Sequence, residues 1–269
     1  MEKISVIVAT WNHAHHVRQA LESVDGAIAY LKRQPEGLAL DVEVIVVDDA
    51  SEDGTRSILE EYARGRHFYH LLLRGRPANP ACLCNLGVAL AAGDLLFFLD
   101  GDDLFLENHL HECVKILRAH DHVDFVKSQV ALSDPVHPDW IGRITNSLVI
   151  NLCVRRSCHE LVGGFPDAHL FRRVGERLEY AIDVFRMIED VFYNKKLSAV
   201  CRGLCLAVPT VKYVRRPGNP FDRQYERFQA PAGQARNTMD PLYHMRVEVA
   251  KILIDHEIEA LRKRLGGPS

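Results

Sequence analysis

Strands buried on both faces of a sheet read as unbroken apolar, β-branched runs, and the first 100 residues hold a series of them. "ISVIVA" (4–9), "VEVIVV" (42–47), "FYHLLL" (68–73) and "DLLFFLD" (94–100) are the runs. Segments of helical spacing separate them. "HVRQALESV" (16–24) sets Val17, Ala20, Leu21 and Val24 on one face. "SEDGTRSILEEYA" (51–63) opens on a capping Ser51 or Asp53, and "PACLCNLGVALAA" (80–92) stops at Gly93. Such alternation predicts an α/β fold with a doubly wound, mostly parallel sheet. Ligands of these sheets bind beyond the carboxyl ends of the strands. Three of those ends are polar: "ATWNH" (9–13), "DDAS" (48–51) and "DGDD" (100–103).

The last cluster poses a physical problem. Asp100, Asp102 and Asp103 crowd like charges at the end of a buried strand, and each raises the others' pKa unless something positive lies between them. Residues i and i+2 of a strand share a face, so Asp100 and Asp102 can point together while Asp103 turns away to cap the next helix or touch an acceptor. Gly101 lets the backbone turn and a bulky ligand approach. Two converging hard oxygen ligands describe a Mg2+ or Mn2+ site with room for phosphate oxygens. A solvated turn is the alternative, since Asp-Gly-Asp-Asp is also good turn chemistry.

The other clusters suit a nucleotide. Asp48 or Asp49 could accept from a base N–H or a ribose hydroxyl, Trp11 offers a flat surface for a base, and Asn12 forms a turn. Packing alone would also account for Trp11. His13, His15 and His16 open a helix without an i, i+4 repeat, which suits polar surface or phosphate contacts. Further on, "MIEDVF" (187–192) sets Glu189 and Asp190 in an apolar helical segment, where a carboxylate could take a proton from an acceptor hydroxyl or simply face solvent.

The second half is less regular. "ENHLHECVKILRAH" (107–120) predicts an amphipathic helix, "DFVKSQVAL" (124–132) and "SLVINLCVRR" (147–156) predict strands, and "HELVGGFPD" (159–167) predicts a short helix ended by its glycine pair. A helix over 185–197, a late strand over 210–216, a loop over 216–224 and a C-terminal helix from Asp240 to Leu265 complete the pattern. Leu242, Met245, Val249, Ile252, Leu253 and Leu261 fall largely on one side of that last helix, for packing on its own domain or for a homodimer.

Composition bounds the possibilities. The 269 residues fit one large α/β domain or a domain with a small appendage. Charge is −3, from 33 basic and 36 acidic residues, which gives no bulk attraction to nucleic acid. The 7 cysteines include no CxxC pair, so the expectation is buried or half-buried thiols in a reducing compartment, without a disulfide framework or zinc site. "MEKISVIVATWNHAHH" lacks an apolar signal segment and no run is long enough to span a membrane, so a cytoplasmic protein is expected, peripheral to the inner face of the membrane at most.

Taken together and in order, these pieces resemble family 2 glycosyltransferases of the GT-A fold. "SVIVATWN" resembles the family's opening strand and turn, "VVDDASEDGT" its uridine-binding strand end, and "NLGVALAAGDLLFFLDGDD" its helix, strand and DxD motif. "ELVGGFPD" followed by "IEDVF" resembles its acceptor-side loop and ED motif. The resemblance covers about residues 4–200. It implies a GT-A domain over 1–239, with a donor nucleotide-binding half (1–103) and an acceptor half with a closing loop (104–239), followed by a C-terminal helix (240–269).

It also implies roles. Ala9, Thr10, Trp11, Asn12, Asp48, Asp49, Asn85, Asp100 and Gly101 would surround the donor, with Asp49 on the base N–H. Asp102 would ligate Mn2+ or Mg2+, with Asp100 near the metal and ribose; Asp190 would be the catalytic base, oriented by Glu189. The implied reaction is transfer, with inversion, from a nucleoside-diphosphate sugar, foremost a UDP-sugar, to a hydroxyl of a saccharide, lipid-linked or other acceptor.

Three positions depart from the family pattern. Trp11 stands where tyrosine or phenylalanine is usual, Ala9 where proline is usual, and Cys84 where a basic residue often precedes Asn85. Help with the diphosphate would then come from Arg74, Arg76 or the late Arg215, Arg216 and Arg227, the last within "QYERF" (224–228), a loosened form of the Q-x-x-R-W motif. The departures at Ala9 and Cys84 also support an alternative, a non-catalytic nucleotide-sugar-binding or assembly module. A sugar nucleotidyltransferase or a dehydrogenase is disfavoured, because no glycine-rich loop follows the first strand.

Overall fold

The computed structural model describes residues 2–66, 69–73, 80–134, 136–166, 189–215, 225 and 241–266. Its strands are β1 (Lys3–Thr10), β2 (Asp41–Asp48), β3 (Tyr69–Leu73), β4 (Leu95–Asp100), β5 (Leu104–Phe105), β6 (Phe125–Leu132), β7 (Leu152–Arg155) and β8 (Gly203–Tyr213). The helices are α1 (Val17–Lys32), α2 (Thr55–Ala63), α3 (Pro80–Leu90), α4 (His109–Ala119), α5 (Pro138–Ser147), α6 (Arg156–Val162), α7 (Glu189–Val200) and α8 (Pro241–Arg264). The eight strands form one sheet in the order β3-β2-β1-β4-β7-β6-β8-β5. β3, β2, β1 and β4 run parallel, as do β6 and β8, while β7 and β5 are antiparallel to their neighbours.

The period-2 alternation of the central strands fills two cores. Ile4, Val6 and Val8 of β1 and Leu95, Phe97 and Leu99 of β4 face one core, shared with α1, α2 and α4. Ile7 and Ala9, with Leu96 and Phe98, face the other, shared with α3, α6 and α7. Burial on both faces is what makes these strands continuous apolar runs. The register sets Ala9 beside Asp100 and Thr10 beside Asp48, so the three polar strand ends lie side by side.

Three expectations are corrected. The strand predicted over 147–156 shrinks to β7. Before it lies α5, with Pro138 in its first turn and Asp139 N donating to His137 Nδ1 (3.3 Å). The chain then turns around Asn151, whose Nδ2 donates to Ser128 O (2.6 Å) and Thr145 O (3.0 Å). The late strand instead starts early, at Gly203, because it pairs along β6. The third correction concerns α8, where Ile254, Ile258 and Leu261 are buried and Ile252 is exposed. Of the predicted stripe, Leu261 thus lies on the inward face and Ile252 does not, Ile254 and Ile258 complete that face, and the side chains of Leu242, Met245 and Val249 lie outside the described residues.

The cysteines are also corrected. Cys158 in α6 and Cys201 just beyond α7 form a disulfide, and Cys82, Cys84, Cys113, Cys153 and Cys205 are free. The sequence separation of 43 hides the pairing from the sequence. The bond fastens the end of α7 to α6, and Lys196 Nζ fastens α7 to its other neighbours, 3.2 Å from Gly164 O and 3.7 Å from Glu257 of α8.

Alkylation under denaturing, non-reducing conditions should therefore label five cysteines, and seven after reduction. Closing a loop across a separation of 43 residues is worth about 4 kcal/mol, so Cys158→Ser should lower unfolding stability by that order in urea titrations. Seven labels without reductant would refute the pairing.

Candidate active site

The β1 and β2 ends are locked together by side chains that the sequence places in turns. Asn12 and Ala50 both adopt positive φ, 53° and 61°. Asn12 N donates to Ser51 Oγ (2.8 Å), Glu52 N donates to Asn12 Oδ1 (2.9 Å), and Ser51 donates through N (3.1 Å) and Oγ (2.5 Å) to the Asp48 carboxylate. Asp53 takes the capping work at α2, accepting from Thr55 N, Thr55 Oγ1 and Ala14 N. Asp49 is buried, with its N–H on Thr10 O (2.9 Å), and Trp11 stands at the rim, 55% exposed. A rigid, hydrogen-bonded shelf thus carries an open aromatic face.

Beside it lies the acidic cluster. Gly101 N continues the ladder to Ala9 O (2.8 Å) and Asp103 N closes a turn on Asp100 O (3.0 Å). A Cβ on Gly101 would sit 2.5 Å from Thr10 Oγ1 and 2.9 Å from His13 Nδ1, so a larger residue cannot pass here without displacing both. Carboxylate oxygens of Asp100, Asp102 and Asp103 lie within 4.8 Å of one another, and Asp102 and Asp103 are buried. The chain bends at Gly101, so the strand rule that turned Asp103 away does not apply. Asp103 faces the same space as its neighbours and accepts from Val214 N (2.8 Å), just beyond β8. Burial first, then the Asp100 charge, hold its carboxyl well above the usual range.

On the opposite side, Glu189 and Asp190 form the first turn of α7, where the helix dipole favours negative charge. Burial raises the Asp190 pKa well above normal, and the charges of Glu189 and Asp100 raise it further; Lys127 and a hydrogen bond from the Val149 N–H act against them. Beneath lies an aromatic floor. Phe165 stacks on Tyr193 with centroids 4.0 Å apart, Phe98 meets Phe165 edge-on, and the Tyr193 hydroxyl pairs with His159 Nδ1 at 2.6 Å.

Of the residues expected around the donor, Ala9, Thr10, Trp11, Asn12, Asp48, Asp49, Asp100 and Gly101 come together at the adjoining ends of β1, β2 and β4. Asn85 sits deeper in α3, with its amide engaged by the Phe165 backbone on both sides (2.9 Å each). Arg215 directs its guanidinium toward Asp134 (4.0 Å) and the Tyr225 ring. Arg74, Arg76, Arg216 and Arg227 lie outside the described residues. Sequence reasoning turned Asp103 away from the cluster that it joins, and it read His13 only as polar surface or a phosphate contact, whereas His13 lies 3.3 Å from Thr10 Oγ1 and 3.8 Å from Asp102 Oδ2. It also missed Lys127, a buried cation on β6.

The family model for glycosyl transferase family 2 matches residues 5–175. The chain belongs to glycosyl transferase family 2. Glycosyltransferase AglE of Haloferax volcanii is 26% identical over 206 residues, covering 67% of this chain and 65% of that protein. Undecaprenyl-phosphate 4-deoxy-4-formamido-L-arabinose transferase of Klebsiella pneumoniae is 27% identical over 167 residues, 61% of this chain and 47% of its own. The family 2 chain thus spans 65% or less of the length of these relatives. Among solved structures, Staphylococcus aureus TarS 1-349 in complex with UDP superposes with TM-score 0.61 at 20% identity, covering 84% of this chain and 63% of that one. Mannosyltransferase PcManGT from Pyrobaculum calidifontis, in complex with GDP-Man and Mn2+, gives TM-score 0.57 at 20% identity over 99% of this chain and 76% of that one. The fold is that of GT-A glycosyltransferases.

A carboxyl whose folded pKa is raised favours the fold below its unfolded pKa, near 4, and loses that contribution as pH rises through the folded value. Asp103→Asn keeps an acceptor for Val214 N and removes the charge. In EDTA the variant should match the parent near pH 4 and be the more stable of the two at pH 7.5 in urea unfolding. An equal difference at both pH values would count against the charge explanation.

Proposed function

We propose that this family 2 chain is a metal-dependent, inverting hexosyltransferase that moves a sugar from a nucleoside-diphosphate sugar, foremost a UDP-sugar, to an acceptor hydroxyl. The observation that carries the proposal is the meeting of two acidic groups from distant parts of the chain: the Asp100 charge acts on Asp103 and on Asp190 alike. One group suits a cation and a diphosphate. The other suits a proton acceptor.

The donor set fits a hard divalent cation, since three carboxylates converge with oxygens within 4.8 Å. Asp102 and Asp100 would hold it, with Asp103 beside them. Mn2+ or Mg2+ bound there supplies neutralisation of the diphosphate charge. On the protein side, Trp11 stacks on the base and Asp49 accepts its N–H. Asn12 and Asp48 keep the shelf in shape, and Gly101 lets the acidic turn pack directly against Thr10 and His13. Arg215, with Arg216 and Arg227, is proposed to hold the diphosphate from the closing side.

Asp190 takes the proton from the acceptor hydroxyl as its oxygen attacks the anomeric carbon. The new C–O bond forms opposite the bond to phosphate, which breaks with its electron pair on the departing nucleoside diphosphate, so configuration inverts. A dry carboxylate with a raised pKa is a stronger base than an exposed one. Glu189 orients Asp190. The acceptor is proposed to be a saccharide, a lipid-linked compound or another hydroxyl compound. No helix among the described residues is long and apolar enough to cross a membrane. A site at the inner membrane face would therefore be reached peripherally by this part of the chain.

Two measurements test the proposal. A thermal-shift panel of UDP-, GDP- and dTDP-sugars with and without Mn2+ should give a shift that needs the metal, and Asp102→Asn should abolish it. Equal nucleotide binding with and without metal would sink the metal role. Asp190→Asn should lower kcat by roughly 1,000-fold, with donor KM within about two-fold. In the parent, kcat should rise with pH through a limb above the ordinary carboxylate range near 4, because ionised Asp190 is the active form.

A further inference from the structure

Phe98, Phe165 and Tyr193 come from three distant parts of the chain, and all three are buried. Phe165 lies stacked on Tyr193, with centroids 4.0 Å apart and planes 18° apart. Phe98 meets both rings edge-on, at 5.1 Å and 6.3 Å. Stacked and edge-to-face contacts are the geometries that aromatic rings prefer, so the three rings form one wedge. Each outer ring belongs to an element that carries carboxylates. Phe98 stands two residues before Asp100 on β4, so the two share a face of the strand. The register with β1 agrees: Phe98 pairs with Ile7 and Asp100 with Ala9, and Ile7, Ala9 and Phe98 line one core. Tyr193 stands one helical turn beyond Glu189 and Asp190 in α7.

Phe165 sits between the two elements and belongs to neither. It follows Gly163 and Gly164, both at positive φ. Asn85 of α3 clasps its backbone from both sides: Asn85 Nδ2 donates to Phe165 O, and Phe165 N donates to Asn85 Oδ1 (2.9 Å each). A Cβ on Gly164 would lie 2.8 Å from Asn85 Oδ1, so the clasp depends on glycine there. The far end of α7 is anchored separately, through the disulfide of Cys201 with Cys158. We infer that Phe165, clasped by Asn85, is a positioning residue: its ring is the spacer that sets the distance between the Asp100 end of β4 and the Glu189–Asp190 turn of α7. The inference rests on the proposal that the first group serves metal and donor and that Asp190 accepts the proton. Displacement needs the two at a fixed separation, and a misplacement of about 1 Å can cost about 100-fold in rate. The donor shelf on β1 and β2 lies outside the wedge, so donor binding stays as it is.

Phe165→Leu removes the ring from Tyr193, and Asn85→Leu removes both clasp bonds at similar size. In an α-helix the Tyr193 and Asn194 N–H groups close the turn that starts at Glu189 and Asp190. Their exchange, read by NMR without metal or nucleotide, should quicken at least about tenfold in both variants. The Cys201 N–H, on Leu197 O (2.8 Å), should exchange as in the parent. Turnover is read as UDP release from UDP-GlcNAc, or GDP release from GDP-mannose, with Mn2+ and water as acceptor. Its kcat should fall about 100-fold with donor KM within about two-fold. Unchanged exchange at Tyr193 and Asn194 in both variants overturns the inference, and so does equal quickening at Cys201, which marks general loosening. Parent-like kcat in both variants, with Asp190→Asn inactive, overturns it too. Turnover that survives in Asp190→Asn overturns instead the assignment of the base, and exchange in the first turn of α7 then decides the spacer alone.

Discussion

Carboxylates that share a water-poor space repel one another, and the upper edge of this sheet gathers Asp100, Asp102, Asp103, Glu189 and Asp190 around one such space. Repulsion of this kind persists only where the scaffold over-determines the position of each group. Here three kinds of restraint do so. The parallel register fixes the ends of β1, β2 and β4 side by side. The Val214 N–H, carried in by the pairing of β8 with β5, holds Asp103. The first turn of α7 presents Glu189 and Asp190 with the favourable end of its dipole. Burial makes the site costly to charge, and the same burial makes it responsive to a cation or a proton.

The scaffold divides its work between stiffness and openness. Hydrogen bonds link Asn12, Ser51 and Asp48, and Asp53 separately ties Ala14 to the start of α2, which leaves those backbone turns little freedom. Asn85 does the same on the other side, with Gly163 and Gly164 both at positive φ before the Phe165 backbone that it grips. These polar residues lie where a ligand would be expected, yet the bonds shown hold the loops from which other groups reach out. Trp11 is the counterpart, well exposed on a rigid turn.

What the sequence disclosed follows from which forces are local. The strands β1, β2 and β4 were legible because burial on both faces writes a continuous apolar run, and their polar ends marked the site through a rule of topology. The stretch 147–156 was misread because "SLVINL" has strand composition, whereas Pro138, the His137 cap and the bonds of Asn151 commit the chain to a helix and a turn. Asp103 was misassigned because the i, i+2 rule assumes a strand that has already bent at Gly101. Lys127 gave no signal at all, and His13 was visible only as one of three histidines at a helix start. Each acquires a specific partner only in the fold, which brings Asp102 to His13 and the Asp190 charge to Lys127. The disulfide joins residues 43 apart, and no local pattern records it.

The departure at Cys84 gains a physical meaning from the charges around it. Its thiol is buried, and burial, followed by the charges of Asp100, Asp190 and Glu189, pushes its pKa well above normal. A thiol so placed stays neutral and contributes no counter-charge from α3. The cation that opposes Asp190 comes instead from Lys127, on the opposite flank of the sheet. That cation arrives already tied to three acceptors, so it offsets charge without being free to migrate into the acidic cluster. A mobile basic side chain at position 84 would compete with a metal for the same carboxylates. A neutral thiol there, with a tethered ammonium beyond Asp190, keeps the Asp100–Asp102–Asp103 space available to a cation while still restraining the base.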